Sequence, residues 1–344
     1  LANVEAVAYL SGALDANDRT PVSSAKVDRE IELRELLSAS LEKTSWGSRA
    51  LSENLHRLRE LNRDRGHHGD KLLIVMSGLA GVHLIDGKVS NAAEIGEEIL
   101  ALFDEQDTIA QCLGIRCRAF SRFMMSNFEP AIEVFLEVQR LYREVDHEKM
   151  KKFYPADLSV VTGSMICWSH ALMDNRISFA RELTATQQMI DGATDRWSQV
   201  YATMILAAAC QSIGDVDSCL RLTSRALPIA EDLKTDYWRA WGGILRGWVN
   251  AMSDRGSNAC AEIEREIRRY ETTGSRQMLP YAKLLLAEAR NALGDRDGAR
   301  ALADELTSSR VPAEIRYIDA ALERLRQGLA ADLGEKGLRN RQRP

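Results

Sequence analysis

The chain has 344 residues, 45% apolar and 28% charged, with a formal net charge of −5. That length exceeds one ordinary compact domain, the balance is that of a folded chain, and the mild acidity argues against a nucleic-acid binder, which more often carries a basic excess. Aromatics make up only 6% and prolines number only seven, a composition that favours helices over sheets.

The opening NVEAVAYLSGAL reads as the second helix of a pair whose first helix is missing. Residues 1–26 are therefore assigned to the end of a preceding repeat, and the chain is expected to be a piece of a longer protein, because terminal repeats need a polar cap. A helix pair is expected within 27–65, with TSWGS (44–48) as its joint. The run LLIVMSGLAGVHLI (72–85) carries Ser77 and His83 and falls short of the about 20 apolar residues of a membrane span. From there a small residue or turn former recurs at the end of an apolar helix. The joint residues are Gly87, Ser126, Asn175, Gly214, Gly256 and Gly294, spaced by 39, 49, 39, 42 and 38. Five residues after them stand Ala92, Ala131, Ala180, Cys219, Ala261 and Ala299; seven before stand Ala80, Ala119, Trp168, Ala207, Val249 and Ala287. Antiparallel helices joined by a tight turn approach closely where both carry small residues, and Gly or Asn lets the backbone leave the first helix with positive φ. This is a tetratricopeptide-like pattern, stretched beyond the usual period of about 34 residues. The longest interval holds EVDHEKMKKFYPADLSV (144–160), read as an inserted loop. Residues 333–344, ending RNRQRP, read as a basic flexible tail, leaving 27–332 as the repeat domain.

Little in the sequence points to chemistry. GVHLIDGKVS (81–90) separates its glycines by five residues and places Ser90 one position late for a phosphate-binding loop, so Gly87 reads as a helix turn. His67 and His68 lack an evident third metal ligand. No HExxH, GxSxG or CxxC occurs, and no cofactor or metal is expected. Six cysteines sit mostly in apolar helical runs, as buried thiols of a reducing cytoplasm would, and no signal peptide is evident; a cytoplasmic location is expected. The stretch WRAWGGILRGWVNAM holds Trp238, Trp241 and Trp248 within an arc of about 80° at 100° per residue. One such stripe is what a solenoid core needs; the alternative is an aromatic ligand box, with Arg246 and Asn250 projecting elsewhere from the same helix.

DYWRAWGGILRGWVNAM, followed by EREIRRYETTGSRQMLPYAKLLLAEARNALGDRDGARAL, resembles the helical repeats of large bacterial signalling ATPases. The opening EAVAYLSGAL is similar to the stretch with which that region begins. FYPADLSVVTGSMICWSHALM is similar to a YGxDPxV…WALW stretch in its middle, with Pro155 in the Gly position and Leu158 where Pro is usual. The resemblance implies a tetratricopeptide-like region that follows an AAA-type ATPase module and a class III nucleotide cyclase or DNA-binding domain. It implies no catalytic residues in this chain.

The expected fold is all-α: about 14 helices in about seven pairs, forming a tetratricopeptide-like right-handed superhelical solenoid. The first helix of each pair should line a concave groove. Its polar candidates, among positions nine or ten, six, or three residues before a joint, are Arg116, Ser169, Gln211, Arg246, Asn250 and Asn291. Arg and Asn can grip a carboxylate or a peptide backbone. The expected function is a non-catalytic regulatory domain that binds a protein or peptide, or the ATPase or output module of its own chain, and neither nucleic acid nor membrane. The alternative is a small-ligand-sensing repeat domain of a transcriptional regulator. Solenoid ends can also pair two chains as a homodimer.

Overall fold

The computed structural model describes residues 2–44, 47–66, 69–253, 256 and 258–341. Among them are seventeen helices and no strand, so the chain is all-α. Fourteen helices form seven consecutive pairs: α2 (Ser24–Thr44) with α3 (Arg49–Asp64), α4 (Asp70–Asp86) with α5 (Val89–Leu102), α6 (Thr108–Met124) with α7 (Phe128–Tyr142), α9 (Leu158–Leu172) with α10 (Arg176–Gly192), α11 (Arg196–Ser212) with α12 (Val216–Asp232), α13 (Asp236–Met252) with α14 (Ala259–Thr272), and α15 (Leu279–Ala292) with α16 (Arg296–Ser308). Three more lie outside the pairs. α1 (Ala2–Asp18) packs on α2, α8 (His147–Met150) is a single turn within the inserted loop, and α17 (Asp319–Arg341) crosses the boundary read at 332. Residues 45 and 46 of the TSWGS joint, and the His67–His68 pair, lie outside the described residues. No helix among those described is long and apolar enough to cross a membrane.

The joints show how the sequence turns the chain. Gly87, Gly214 and Gly294 have φ of 75, 76 and 88, and Ser126 has 65, the left-handed conformation that ends a helix. After Gly214 and Gly294 the next helix starts on a capping side chain: Asp215 accepts from the Ser218 N–H and Asp295 from the Gly298 N–H, whereas α5 and α7 start without one. A Gly-Asp dipeptide thus ends one helix and begins another. The small residues expected at the crossings, Ala80 and Ala92, Ala119 and Ala131, Ala207 and Cys219, Ala287 and Ala299, are all fully buried. Two joints depart from the expected register. At the third, Asp174 rather than Asn175 takes the positive φ (56), because Asn175 caps α10 through Ser178 N–H. The crossing pair becomes Cys167 and Phe179, whose thiol and carbonyl lie 3.8 Å apart, and Ala180 is exposed. At the fifth, Gly256 is not left-handed, and Gly247 meets Ala259 while Ala261 is exposed.

First helices also pack on one another: α4 on α6, α9 on α11, α11 on α13 and α13 on α15. They form an inner layer buried around most of its circumference, whereas their partners bury one stripe. The stack bends until its C-terminal part meets the ends of α4 and α6. The Arg276 and Gln277 N–H groups both donate to the Ile85 carbonyl, at 2.8 and 2.9 Å. The Arg316 N–H donates to the Met124 carbonyl at 2.7 Å, and the Ser126 hydroxyl donates to the Arg316 carbonyl at 2.6 Å. Glu314 Oε2 accepts from both the Ser90 N–H and its hydroxyl. These bonds join residues 190 to 224 positions apart. The space inside is filled by aromatic rings: Tyr317 lies 5.4 Å from Phe123 and 5.2 Å from Trp168, and Trp168 lies 5.6 Å from Tyr281.

Candidate functional site

The aromatic filling stops at a cavity of about 170 Å³ near the C-terminal ends of α9 and α11. Its polar and aromatic wall is Gln211 and Ser212 from the end of α11, Trp248 from α13, Tyr281 and Glu288 from α15, Tyr317, and Arg324 from α17. Leu172, Gly214, Leu284, Ile318 and Ala321 complete it. Tyr281, Leu284 and Glu288 follow one another at helical spacing, so one face of α15 delivers all three.

The polar groups form a directed network. The Tyr281 hydroxyl donates to Gln211 Oε1 at 2.8 Å, and Gln211 Nε2 donates to Glu288 Oε2 at 3.0 Å. The Trp248 Nε1–H donates to the same oxygen at 2.7 Å. Loss of hydration raises the Glu288 carboxyl to about 7, against the Trp248 hydrogen bond, the Arg324 charge and the Gln211 hydrogen bond, which all favour the carboxylate. Its second oxygen, Oε1, accepts no hydrogen bond among the described residues. Arg324, exposed at the rim, likewise forms no ion pair among them. The cavity therefore holds an acceptor and a cation that have not used each other up.

The six groove candidates scatter. Gln211 is the one that reaches the cavity. Arg116 is 3% exposed, with its guanidinium 4.5 Å from the Tyr154 ring centroid and 5.9 Å from that of Phe120. Ser169 is fully buried and returns its hydroxyl to the Met165 carbonyl of its own helix at 2.8 Å. Arg246 is exposed on α13, Asn250 donates to Glu262 Oε2 on α14 at 3.1 Å, and Asn291 is half-buried on α15. The tryptophan stripe divides as well: Trp238 and Trp241 are stacked in the core with centroids 5.3 Å apart, while Trp248 reaches the cavity wall. Gly242, Gly243 and Gly247 bring Met204, Glu266 and Ile263 against α13, filling its other faces. Glu288, Tyr281, Tyr317 and Arg324 were not among the sequence candidates. The signal for Glu288 is an acid in register with Tyr281 and Leu284 on an otherwise apolar face.

No family model matches the chain, and no curated protein matches it. Solved structures do. A Rap protein complexed with competence and sporulation factor is similar over 87% of this chain and 79% of its own, with 14% identity and a TM-score of 0.55. The apo form of RapI covers 90% of this chain and 86% of its own, with 11% identity and a TM-score of 0.45. The first likeness, at that identity, speaks for the fold: a tetratricopeptide-like all-α stack.

Proposed function

We propose that this chain is a non-catalytic regulatory domain that binds a protein or peptide partner. The observation that supports it is Arg116. Its guanidinium is buried and faces the Tyr154 and Phe120 rings, yet it pairs with no carboxylate among the described residues, and its Nε has no hydrogen-bond partner there. A buried cation is costly unless an anion accompanies it, and a partner's carboxylate would supply that anion in bidentate geometry. The similar Rap protein was crystallised with a bound factor, which fits the same reading. The test is capture of partners by the wild-type chain and by Arg116→Gln, with thermal melts of both as a folding control. The reading expects the variant to stay folded and to lose about tenfold or more in affinity for the captured partner. Equal affinity, or no partner at all, overturns it.

The resemblance to the repeats of signalling ATPases supports a finer reading, in which the domain controls a cyclase- or transcription-linked ATPase. An immunoblot of the native protein tests this. A band well above the 38.4 kDa of this chain supports it, and a band at that mass overturns it. A second reading, small-ligand sensing, is favoured by the cavity itself, which Trp248 lines. Tryptophan emission recorded against a metabolite panel tests it, since a ligand beside Trp248 changes its surroundings.

A further inference from the structure

The size of the cavity restricts what can enter. A cavity of about 150 Å³ admits benzene, and pockets for drug-sized molecules start at about 300 Å³. At about 170 Å³ this one takes a group the size of a single amino acid and not a length of peptide. Its chemistry is bipolar. Glu288 presents one carboxylate oxygen whose companion is already held by Trp248 and Gln211, so the group is fixed in place before any ligand arrives. Arg324 presents a guanidinium without an ion pair among the described residues, on the neighbouring α17. Between them the wall is apolar and aromatic: Tyr281, Leu284, Tyr317 and Ile318. A simple amine would satisfy Glu288 but repel Arg324, and a simple carboxylate would do the reverse. A molecule with an ammonium, a carboxylate and a short apolar branch satisfies all three surfaces.

We propose that this cavity binds a free α-amino acid with an apolar side chain, its ammonium on Glu288 and its carboxylate on Arg324. This rests on the small-ligand reading of the cavity and is independent of the partner reading built on Arg116. Because the ends of the stack close beside this cavity, through Tyr317 and the 312–316 loop, the amino acid would bridge α15 and α17 and tie the closure together. The ligand then acts as an effector: it favours the closed ring over any state in which α17 has moved away.

Calorimetric titration of the full chain at pH 8 tests this with glycine, L-alanine, L-valine, L-leucine, L-methionine and L-phenylalanine. For whichever of these binds best, the amide, which lacks the carboxylate, and the N-acetyl derivative, which lacks the ammonium, are titrated alongside. At least one amino acid should bind, and both derivatives should bind about tenfold or more weakly. Arg324→Gln, at an exposed position, should keep the wild-type melting temperature and lose affinity for the amino acid while binding its amide no more weakly. Glu288→Gln should lose affinity for the amide too. Binding should strengthen about tenfold between pH 6 and pH 8 in the wild type, as the Glu288 carboxyl ionises near 7, and not in Glu288→Gln. No binding by any of the six, an amide or an N-acetyl derivative as tight as its parent, or a flat pH profile overturns the proposal. Partner capture by the same preparation separates that failure from failure of the partner reading.

Discussion

His83 shows how much one side chain can make of its surroundings. It is 3% exposed, it packs edge-on against His56 at 5.2 Å, and its Nδ1 has no hydrogen-bond partner among the described residues. Burial lowers its pKa to about 4, helped by His56, Lys88 and Arg59 and opposed by Asp86. The unfolded chain binds that proton near 6.5, so it holds more protons than the folded chain between the two values. The contribution of His83 to stability is therefore complete above 6.5 and is lost as the pH falls through 4. Urea midpoints of the wild type should drop from pH 7 to pH 4, and His83→Leu should drop by less; equal slopes would show that His83 does not carry the effect. His83 was legible beforehand as a polar interruption in LLIVMSGLAGVHLI. Ser169 and Arg116 were legible as positions on first helices, but not where their polar atoms go. A serine that bonds back to its own helix and an arginine laid on a tyrosine look the same in sequence as groove residues. Glu288 could have been found by asking which acids share a face with aromatics and leucines.

At the scale of helices, close packing also occurs between pairs, at the crossing of α5 and α6. A Cβ on Gly114 of α6 would meet the Gly96 carbonyl of α5 at 2.9 Å and Leu100 Cγ at 2.7 Å. Backbone cannot yield as a side chain does, so Gly114→Ala should destabilise the fold by about 1–3 kcal/mol, read as a lower urea midpoint. Gly12, exposed in α1, has nothing within 4 Å of the same added carbon. Gly12→Ala should stabilise by about 0.5–1 kcal/mol through helix propensity alone. If the two substitutions had the same sign, the crossing of α5 and α6 would not be as close as described. The pairs were legible because five of the joints end the first helix on a left-handed residue, and small residues sit at fixed offsets from it. The offset rule measures only crossings within a pair, so it passed over Gly96 and Gly114. It misplaced Ala180 and Ala261 where Asp174 or a longer joint shifts the register.

The closure of the whole stack had no signature in the sequence. Repeats announce themselves by period, whereas the bonds from Arg276 and Gln277 to Ile85, and from Arg316 to Met124, use backbone groups that every residue has. If the ring is closed in solution, the amide protons of Arg276, Gln277 and Arg316 should exchange with deuterium as slowly as those of the core helices, although they lie in loops. Exchange at the rate of the exposed Thr194 amide would mean that the ends stand apart. The same closure restricts how such a chain can change over generations. An open stack touches only its neighbours, so repeats can be duplicated or deleted with little effect on the rest. Here one more helix pair would carry the 312–316 loop past Ser90 and Met124, and one fewer would stop it short. Between Ile85 and Arg316 the number of repeats is thus held by the ring, and gain or loss of a whole pair there would cost the closing bonds.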